Sequence, residues 1–280
     1  MKARRIGTIA RKEVSDSVRS RLVWTIVVLV AGLTSVAAGA LKFVPGVEAD
    51  ALAGINGATE FAGLLVPIVA LVAAYLAIAG ERESGSVKVL LGFPPSRAEV
   101  VAGKFLGRGA VVAAAISAGY AVSGVVTVAV YGTLPVTAFV LTLLLTALLG
   151  VVFVGIAVGL SATTGTRSRA MTASIAVYLV LTLFWDLVPQ GAHLLVQGSQ
   201  PEPPLPGWFV LLQSLSPTGA YSSLVTAVVS WEAGLPGLSG LIAGDLPFYL
   251  EPWFLLLVLA AWAAVPLLVG YRAFERADLS

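Results

Sequence analysis

The chain of 280 residues is 58% hydrophobic and only 11% charged, with 17 basic and 15 acidic side chains. Soluble domains carry about 25% charged residues, so this composition excludes an ordinary soluble protein and indicates one that crosses a membrane several times. The sequence contains no cysteine, which excludes disulfides, thiolate metal sites and cysteine nucleophiles.

The N-terminal segment is basic, and residues 5–20 have the pattern of an amphipathic helix. Ile6, Ala10, Val14 and Val18 recur at i, i+4 spacing, while the basic side chains lie largely elsewhere on the helix. Two interpretations are open: a positively charged topology anchor, or an elbow helix that lies on the cytoplasmic leaflet and packs against a partner. The apolar run that follows has no clear small-residue cleavage site, so we expect the N-terminus to be retained.

Six apolar segments have the length that a helix needs to cross about 30 Å of hydrocarbon. They lack the two-residue alternation of an outer-membrane barrel, so we predict an all-α membrane protein with one transmembrane domain over 1–280. An even number of spans places both termini on one side. The six predicted spans are 22–41, 61–79, 109–131, 138–160, 171–188 and 252–271.

The distribution of charge predicts which side each segment faces. Sixteen of the 17 basic residues fall in the N-terminal segment, in residues 80–108, in the loop 161–170 and in the tail after 271. The positive-inside rule therefore places both termini and these loops in the cytoplasm of a multi-pass cell-membrane protein. Arg167 and Arg169 are either plain topology determinants or a second contact to a cytoplasmic partner. The opposite face holds the acidic residues Glu48, Asp50, Glu60, Asp186, Glu202, Glu232, Asp245 and Glu251.

The longest predicted cytoplasmic loop, residues 80–108, carries a helix-start signal. Ser96 and Glu99 have the Ser-x-x-Glu spacing of a capping box, and Pro94 and Pro95 precede them. This pattern predicts a short helix across the membrane surface, and we expect it to dock a cytoplasmic partner. A solvated connecting loop is the alternative interpretation. In the preceding predicted span, 61–79, Pro67 predicts a kink in the helix.

The fifth predicted span ends in Phe184-Trp185-Asp186, and a long segment follows it. We expect Asp186 to reach water at the outer interface, or to lie at the mouth of a translocation path. Residues 189–250 contain eight prolines, and they predict a re-entrant or interfacial pair of short helices. A full span there would place the basic tail outside. We expect His193, the only histidine, to be an ordinary surface residue.

The sequence argues against catalysis. One histidine cannot supply the His-Glu-x-x-His pair of an intramembrane metalloprotease, and no Gly-x-Ser-x-Gly elbow is present. Gly103-Lys104 lacks the flanking residues of a phosphate-binding loop, and the centres of the predicted spans carry no charge for a proton relay. We therefore expect no catalytic, cofactor-binding or metal-binding residues, and any transport would have to be powered from outside the chain.

Several segments together resemble the ABC-2 type permeases. They are Ile9-Ala-Arg-Lys-Glu13-Val-Ser-Asp16, the loop Gly80-Glu-Arg-Glu-Ser-Gly with Gly103-Lys-Phe105, and Phe274-Glu-Arg-Ala-Asp-Leu279. Phe184-Trp-Asp186 and Leu215-Ser-Pro-Thr218 resemble the subgroup associated with nitrous oxide reductase maturation. The resemblance implies six spans per subunit, a homodimer, an apolar substrate path between subunits, and two copies of a cytoplasmic ABC ATPase that bind ATP and Mg²⁺.

On this resemblance the chain is the permease subunit of an ATP-driven exporter that serves metalloenzyme maturation, with an extracytoplasmic accessory protein as a further partner. The alternative is a membrane scaffold that anchors a cytoplasmic partner without transport. The sequence does not identify the cargo, and nothing in it points to nucleic acid. The expected ATPase-coupling residues are Glu81, Glu83, Gly85, Pro94, Pro95, Ser96, Arg97, Ala98, Glu99 and Val100, and Asp186 is a candidate for an outer path.

Overall fold

A computed structural model describes residues 2–46, 48–85, 96–242 and 244–277. These residues confirm the all-α class, since their only strand-like feature is a single bridge between Leu205 and Ile242. In chain order the helices are α1 (Lys2–Val18), α2 (Arg21–Ala40), α3 (Ala51–Ala74), α4 (Ala79–Glu83), α5 (Arg97–Tyr131), α6 (Val136–Thr163), α7 (Arg167–Tyr178), α8 (Leu187–Gln197), α9 (Gly207–Ser214), α10 (Pro217–Ala233) and α11 (Pro252–Arg276).

Four helical segments of the described chain are long and apolar enough to cross a membrane: Ala51–Glu83, which joins α3 and α4, and the helices α5, α6 and α11. A fifth candidate is a bent pair, in which Arg167–Leu183 and Leu187–Gln197 meet at an angle of 46°. The predicted first span corresponds to α2 and the 3-10 turn Leu41–Phe43 that follows it, and its apolar part, Val27–Phe43, is shorter. Length and composition thus support four or five spans, and the six-span topology stays a prediction.

The helix that corresponds to the second predicted span begins earlier in the chain than predicted. Helix α3 begins at Ala51, where the Asp50 side chain caps it by accepting a hydrogen bond from the Ala53 N–H at 2.8 Å. Glu60, expected in an outer loop, therefore lies within the helix.

At the other end, α3 passes through Pro67 and is interrupted only after Ala74. Ser161 Oγ satisfies the backbone at this break, accepting from the N–H groups of Ile78 and Ala79 at 3.0 and 2.9 Å.

Helix α6 lies at the centre of the bundle, and glycines bring it against α11. A Cβ atom at Gly155 would lie 2.9 Å from the Ala263 carbonyl oxygen, and one at Gly159 would collide with the Pro266 carbonyl. The two backbones therefore touch, which is the way small residues pack membrane helices.

The predicted pair of short helices in the outer segment is present as α9 and α10. Ser216 caps α10 by accepting from the Gly219 N–H at 2.9 Å, and Tyr221 and Leu224 are buried in the main core. The Tyr221 hydroxyl donates to the Thr59 carbonyl at 3.0 Å and lies 2.8 Å from Thr146 Oγ1. Neutral hydrogen bonds thus join α10 to α3 and α6.

The expectation of a surface position for His193 is wrong. Its side chain is only 3% exposed, and its ring stacks on Trp208 at 6.0 Å and meets the edge of Phe209 at 5.6 Å. His193 Nδ1 lies 3.0 Å from the Ser199 carbonyl oxygen. The two aromatic rings come from α9 and fold over α8, which a local pattern around the histidine does not indicate.

Candidate functional site

The segments predicted to be cytoplasmic meet at one end of the described bundle, which we call the loop end. Arg82 Nη1 donates to the Ala162 and Thr164 carbonyls at 3.3 and 2.9 Å. Residues 80–85 and 96–108 reach this end from the two sides of the predicted coupling loop, and we call them its flanks.

The first flank is fixed by its charged side chains. The Glu83 carboxylate accepts a hydrogen bond from the Arg167 N–H at the start of α7, and the Glu81 carboxylate accepts from Lys104 Nζ at 2.7 Å. Gly85 follows with φ of 73°, a left-handed conformation that favours glycine.

The second flank begins with the predicted capping box. Ser96 Oγ accepts from the Glu99 N–H at 3.3 Å, and the Glu99 carboxylate accepts from the Ser96 N–H at 2.7 Å. Pro94 and Pro95, which were expected to fix this start, lie outside the described residues. Ala98 is exposed, whereas Glu99 and Val100 are buried.

The expectation of a short, separate helix after this cap is wrong, because α5 continues without interruption for 35 residues from Arg97. Gly103 and Gly107, which weaken an isolated helix, are instead the positions where α1 packs. A Cβ at Gly103 would lie 2.7 Å from Ile9 Cβ, and one at Gly107 would lie 2.6 Å from Glu13 Cβ. Tertiary packing therefore carries the helix through both glycines.

Arg97 is engaged within the chain. Its Nη1 donates to the carbonyls of Phe274, Glu275 and Ala277, at 2.7 Å for Glu275 and 3.0 Å for Ala277. The guanidinium carbon also lies 5.3 Å from the centre of the Phe274 ring. The last carbonyls of a helix lack partners within it, so Arg97 caps the C-terminus of α11.

A buried ion network, missed from the sequence, joins the flanks to α1. Lys104 Nζ lies 2.8 Å from Glu13 and 2.7 Å from Glu81, and Arg108 Nε lies 2.6 Å from Glu13. The Lys104 and Glu13 side chains are only 2% and 7% exposed. The sequence contains one indication of this buried face, since Ile9, Glu13 and Ser17 are spaced i, i+4, i+8 on one side of α1. All three are buried in the structure.

Charge is balanced within this network. Burial raises the pKa of Glu13, but the charges of Lys104 and Arg108 and their hydrogen bonds outweigh it, so the pKa lies below its ordinary value of 4.5. Glu13 is therefore ionised at neutral pH. Two carboxylates and two basic groups then neutralise one another, with Lys104 and Glu13 buried and Glu81 and Arg108 partly exposed.

The bundle also contains a cavity of about 340 Å³ beside α3 and α10, lined by acidic and hydroxyl side chains as well as apolar ones. Asp186, the candidate for an outer path, lines it and is exposed. Glu60 and the hydroxyl-bearing residues Thr218, Ser222 and Thr226 line it too, and none of its described lining residues is basic. Glu60 was not predicted there because the start of α3 was placed too late. Across the described ranges, no three His, Asp or Glu side chains come together as a metal site.

Comparison with known proteins agrees with this helical architecture. The model of the family described as ABC-2 family transporter protein matches residues 7–279. The chain is 32% identical over 282 residues to the "Probable ABC transporter permease protein NosY" of Stutzerimonas stutzeri, covering 97% of this chain and 98% of that protein. The protein of the same name from Pseudomonas aeruginosa is 31% identical with the same coverage. The chain therefore belongs to the ABC-2 family of transporter permeases.

Proposed function

We propose that this permease subunit belongs to an ATP-driven exporter and that the flanks pass motion from a cytoplasmic ABC ATPase to the membrane helices. The observation that carries the proposal is the distribution of the flank contacts. Glu81 binds α5, Arg82 binds the end of α6, Glu83 binds the start of α7, and Arg97 binds the end of α11. A displacement of the loop between the flanks would therefore reach four helices.

The partner supplies the energy in this scheme. A homodimer of the chain would carry two ATPase subunits, which would hold ATP and Mg²⁺, and the basic loop end would face the cytoplasm. The positive-inside rule favours this orientation, because Arg82, Arg97 and the exposed arginines of α1 lie at the loop end. The chain itself then needs no catalytic residue.

The cavity beside α3 and α10 is the candidate outer opening of the path. Glu60 and Asp186 make its lining acidic, while its hydroxyl groups offer hydrogen bonds without a net charge. We propose that the exported group passes here after it leaves the apolar path between the subunits. The likeness to two NosY permeases favours a role in the maturation of a metalloenzyme, nitrous oxide reductase, with an extracytoplasmic accessory protein as recipient.

Co-purification tests the proposal. The tagged chain should recover an ABC ATPase, and reconstitution with the chain in lipid nanodiscs should raise ATP hydrolysis above that of the ATPase alone. Recovery of a partner without ATPase activity would support the scaffold alternative and overturn the transport proposal.

A matched pair of variants tests the role of the flanks. Arg97→Gln should lower the stimulation of hydrolysis, because it frees the end of α11 from α5. Arg276→Gln removes an exposed arginine at the same end and should leave the stimulation of hydrolysis unchanged. Equal stimulation in the two variants would contradict transmission through Arg97.

A further inference from the structure

We propose that Glu13 and Lys104 tie α1 to α5, so that α1 is carried as one body with the flanks when the ATPase acts. Glu13 is then a positioning residue for coupling. This inference rests on the proposed function and adds to it an element, α1, that does not border the coupling loop in the sequence.

The tie is built at the point where three elements meet. Glu13 comes from α1, Glu81 from α4, and Lys104 from α5, and Lys104 Nζ contacts both carboxylates. Arg108, one turn further along α5, binds Glu13 and also donates to the Ala73 carbonyl at 2.8 Å, near the end of α3. The same two basic side chains therefore hold α1 and the α3–α4 segment against α5.

Packing alone would hold α1 less specifically. Gly103 and Gly107 let the α1 backbone approach closely, since a Cβ at Gly107 would lie 2.9 Å from the Ala10 carbonyl oxygen. Close packing of this kind holds the axial position of α1 only by van der Waals contacts, which are individually weak. Ion pairs of 2.6–2.8 Å resist a shift of α1 along α5, because separating them leaves the buried Glu13 or Lys104 with an uncompensated charge. The ionic contacts thus fix the register of α1 on α5.

The alternative is that the network only stabilises the fold. Buried ion pairs are weak evidence for stability, since apolar residues of similar volume often serve as well. A role in register is better supported here, because the charges connect separate helices instead of neighbouring turns: Glu13 and Lys104 are 91 positions apart. The test must therefore measure the position of α1 relative to α5 as well as the stability of the fold.

The chain suits a distance measurement, because it has no cysteine of its own. Spin labels on Thr8→Cys in α1 and Val122→Cys in α5 use two exposed sites. Val122 lies about 22 Å along α5 from Gly107, at 1.5 Å per residue. Labelled chain, diluted with unlabelled chain so that each complex holds one labelled copy, is measured with the ATPase bound, without nucleotide and with ATP.

We expect one Thr8–Val122 distance in both nucleotide states of the wild-type complex. Glu13→Gln keeps the size of the side chain but removes its charge, and it should broaden or shift this distance and lose the stimulation of ATP hydrolysis while the ATPase still binds. Asp16→Asn removes a charge of the same sign from the exposed face of α1 and should change neither the Thr8–Val122 distance nor the stimulation of ATP hydrolysis.

Two results would overturn the inference: a wild-type distance that changes on ATP binding, or a Glu13→Gln variant with wild-type distance and stimulation. If Glu13→Gln does not fold, the comparison of nucleotide states in the wild type decides alone. Failure of the proposed function has a different signature, since no ABC ATPase would then bind the wild-type chain. That result would overturn the inference as well, because no motion would be transmitted.

Discussion

Replacing Lys104 by methionine is the most severe test of the ion network. The substitution keeps an unbranched side chain in a position that is 2% exposed, but it withdraws the cation between two carboxylates. Removing one partner of a buried ion pair costs roughly 3–5 kcal/mol. We expect about 3 kcal/mol, at the lower end of that range. The reason is that Glu81 is 25% exposed and Glu13 keeps Arg108 at 2.6 Å.

The loss is measured as the free energy of unfolding in a fixed detergent mixture, or as a fall in melting temperature. A cost of about 2–4 °C per kcal/mol, typical of chains somewhat smaller than this one, gives a fall of about 6–12 °C. Lys12→Met is the matched control, since Lys12 is exposed on α1 and its loss should change stability by less than about 0.5 kcal/mol.

A second variant separates the charge effect from the change of shape. Glu81→Gln combined with Lys104→Met removes one charge of each sign and leaves the Glu13–Arg108 pair in place. The double variant should therefore be more stable than Lys104→Met alone, which appears as a coupling energy in a double-mutant cycle. A Lys104→Met variant as stable as Lys12→Met, or a double variant less stable than the single one, would refute the reasoning.

Three further predictions concern the packing of α1 on α5, the charge of Glu13, and the hydrogen bond of the Tyr221 hydroxyl. Gly107→Ala should push α1 away and cost about 1–3 kcal/mol in thermal unfolding, whereas Gly7→Ala, with open space around it, should not destabilise; equal effects would contradict the packing. Because the pKa of Glu13 is lowered by folding, its stabilisation is present above pH 4.5 and is lost as the pH falls through the folded-state value. Wild type should therefore lose stability relative to Glu13→Gln in acid, and parallel pH profiles would contradict this. Tyr221→Phe should cost about 0.5–1.5 kcal/mol because it removes the hydrogen bond from the Tyr221 hydroxyl to the Thr59 carbonyl, and unchanged unfolding would contradict that hydrogen bond.

Local signals predicted local structure well. The Ser96–Glu99 capping box depends on four consecutive residues, and both of its hydrogen bonds are present. The amphipathic pattern of the N-terminus likewise predicted α1, and prolines with a polar interruption predicted the pair α9 and α10. In each case the physical cause of the element lies within a few residues of it, so the sequence displays it directly.

Features that depend on distant partners were not predictable in the same way. Lys104 reads as a basic loop residue until Glu13, 91 positions away, is brought to it. The packing role of Gly103 and Gly107 was not predicted, because it appears only when α1 lies against them. Arg97 was expected to face a partner, yet its partners are main-chain carbonyls, which no pattern of side chains marks. The same physical limit hid the burial of His193 beneath Trp208.

The two kinds of polar contact divide the bundle mechanically. At the loop end, the buried charges of Lys104 and Glu13, with the partly exposed Glu81, hold α1, α4 and α5 together, and separating them is costly. Deeper in the bundle, Tyr120, Thr146 and Tyr221 join helices through neutral hydroxyl bonds of 2.7–2.8 Å, which are weaker and can exchange partners. We therefore expect motion that begins at the loop to travel as a rigid displacement and to be taken up where α10 meets α3 and α6. Tyr221→Phe tests this division: if α10 absorbs the motion, the variant should alter ATPase stimulation while the Thr8–Val122 distance stays at its wild-type value.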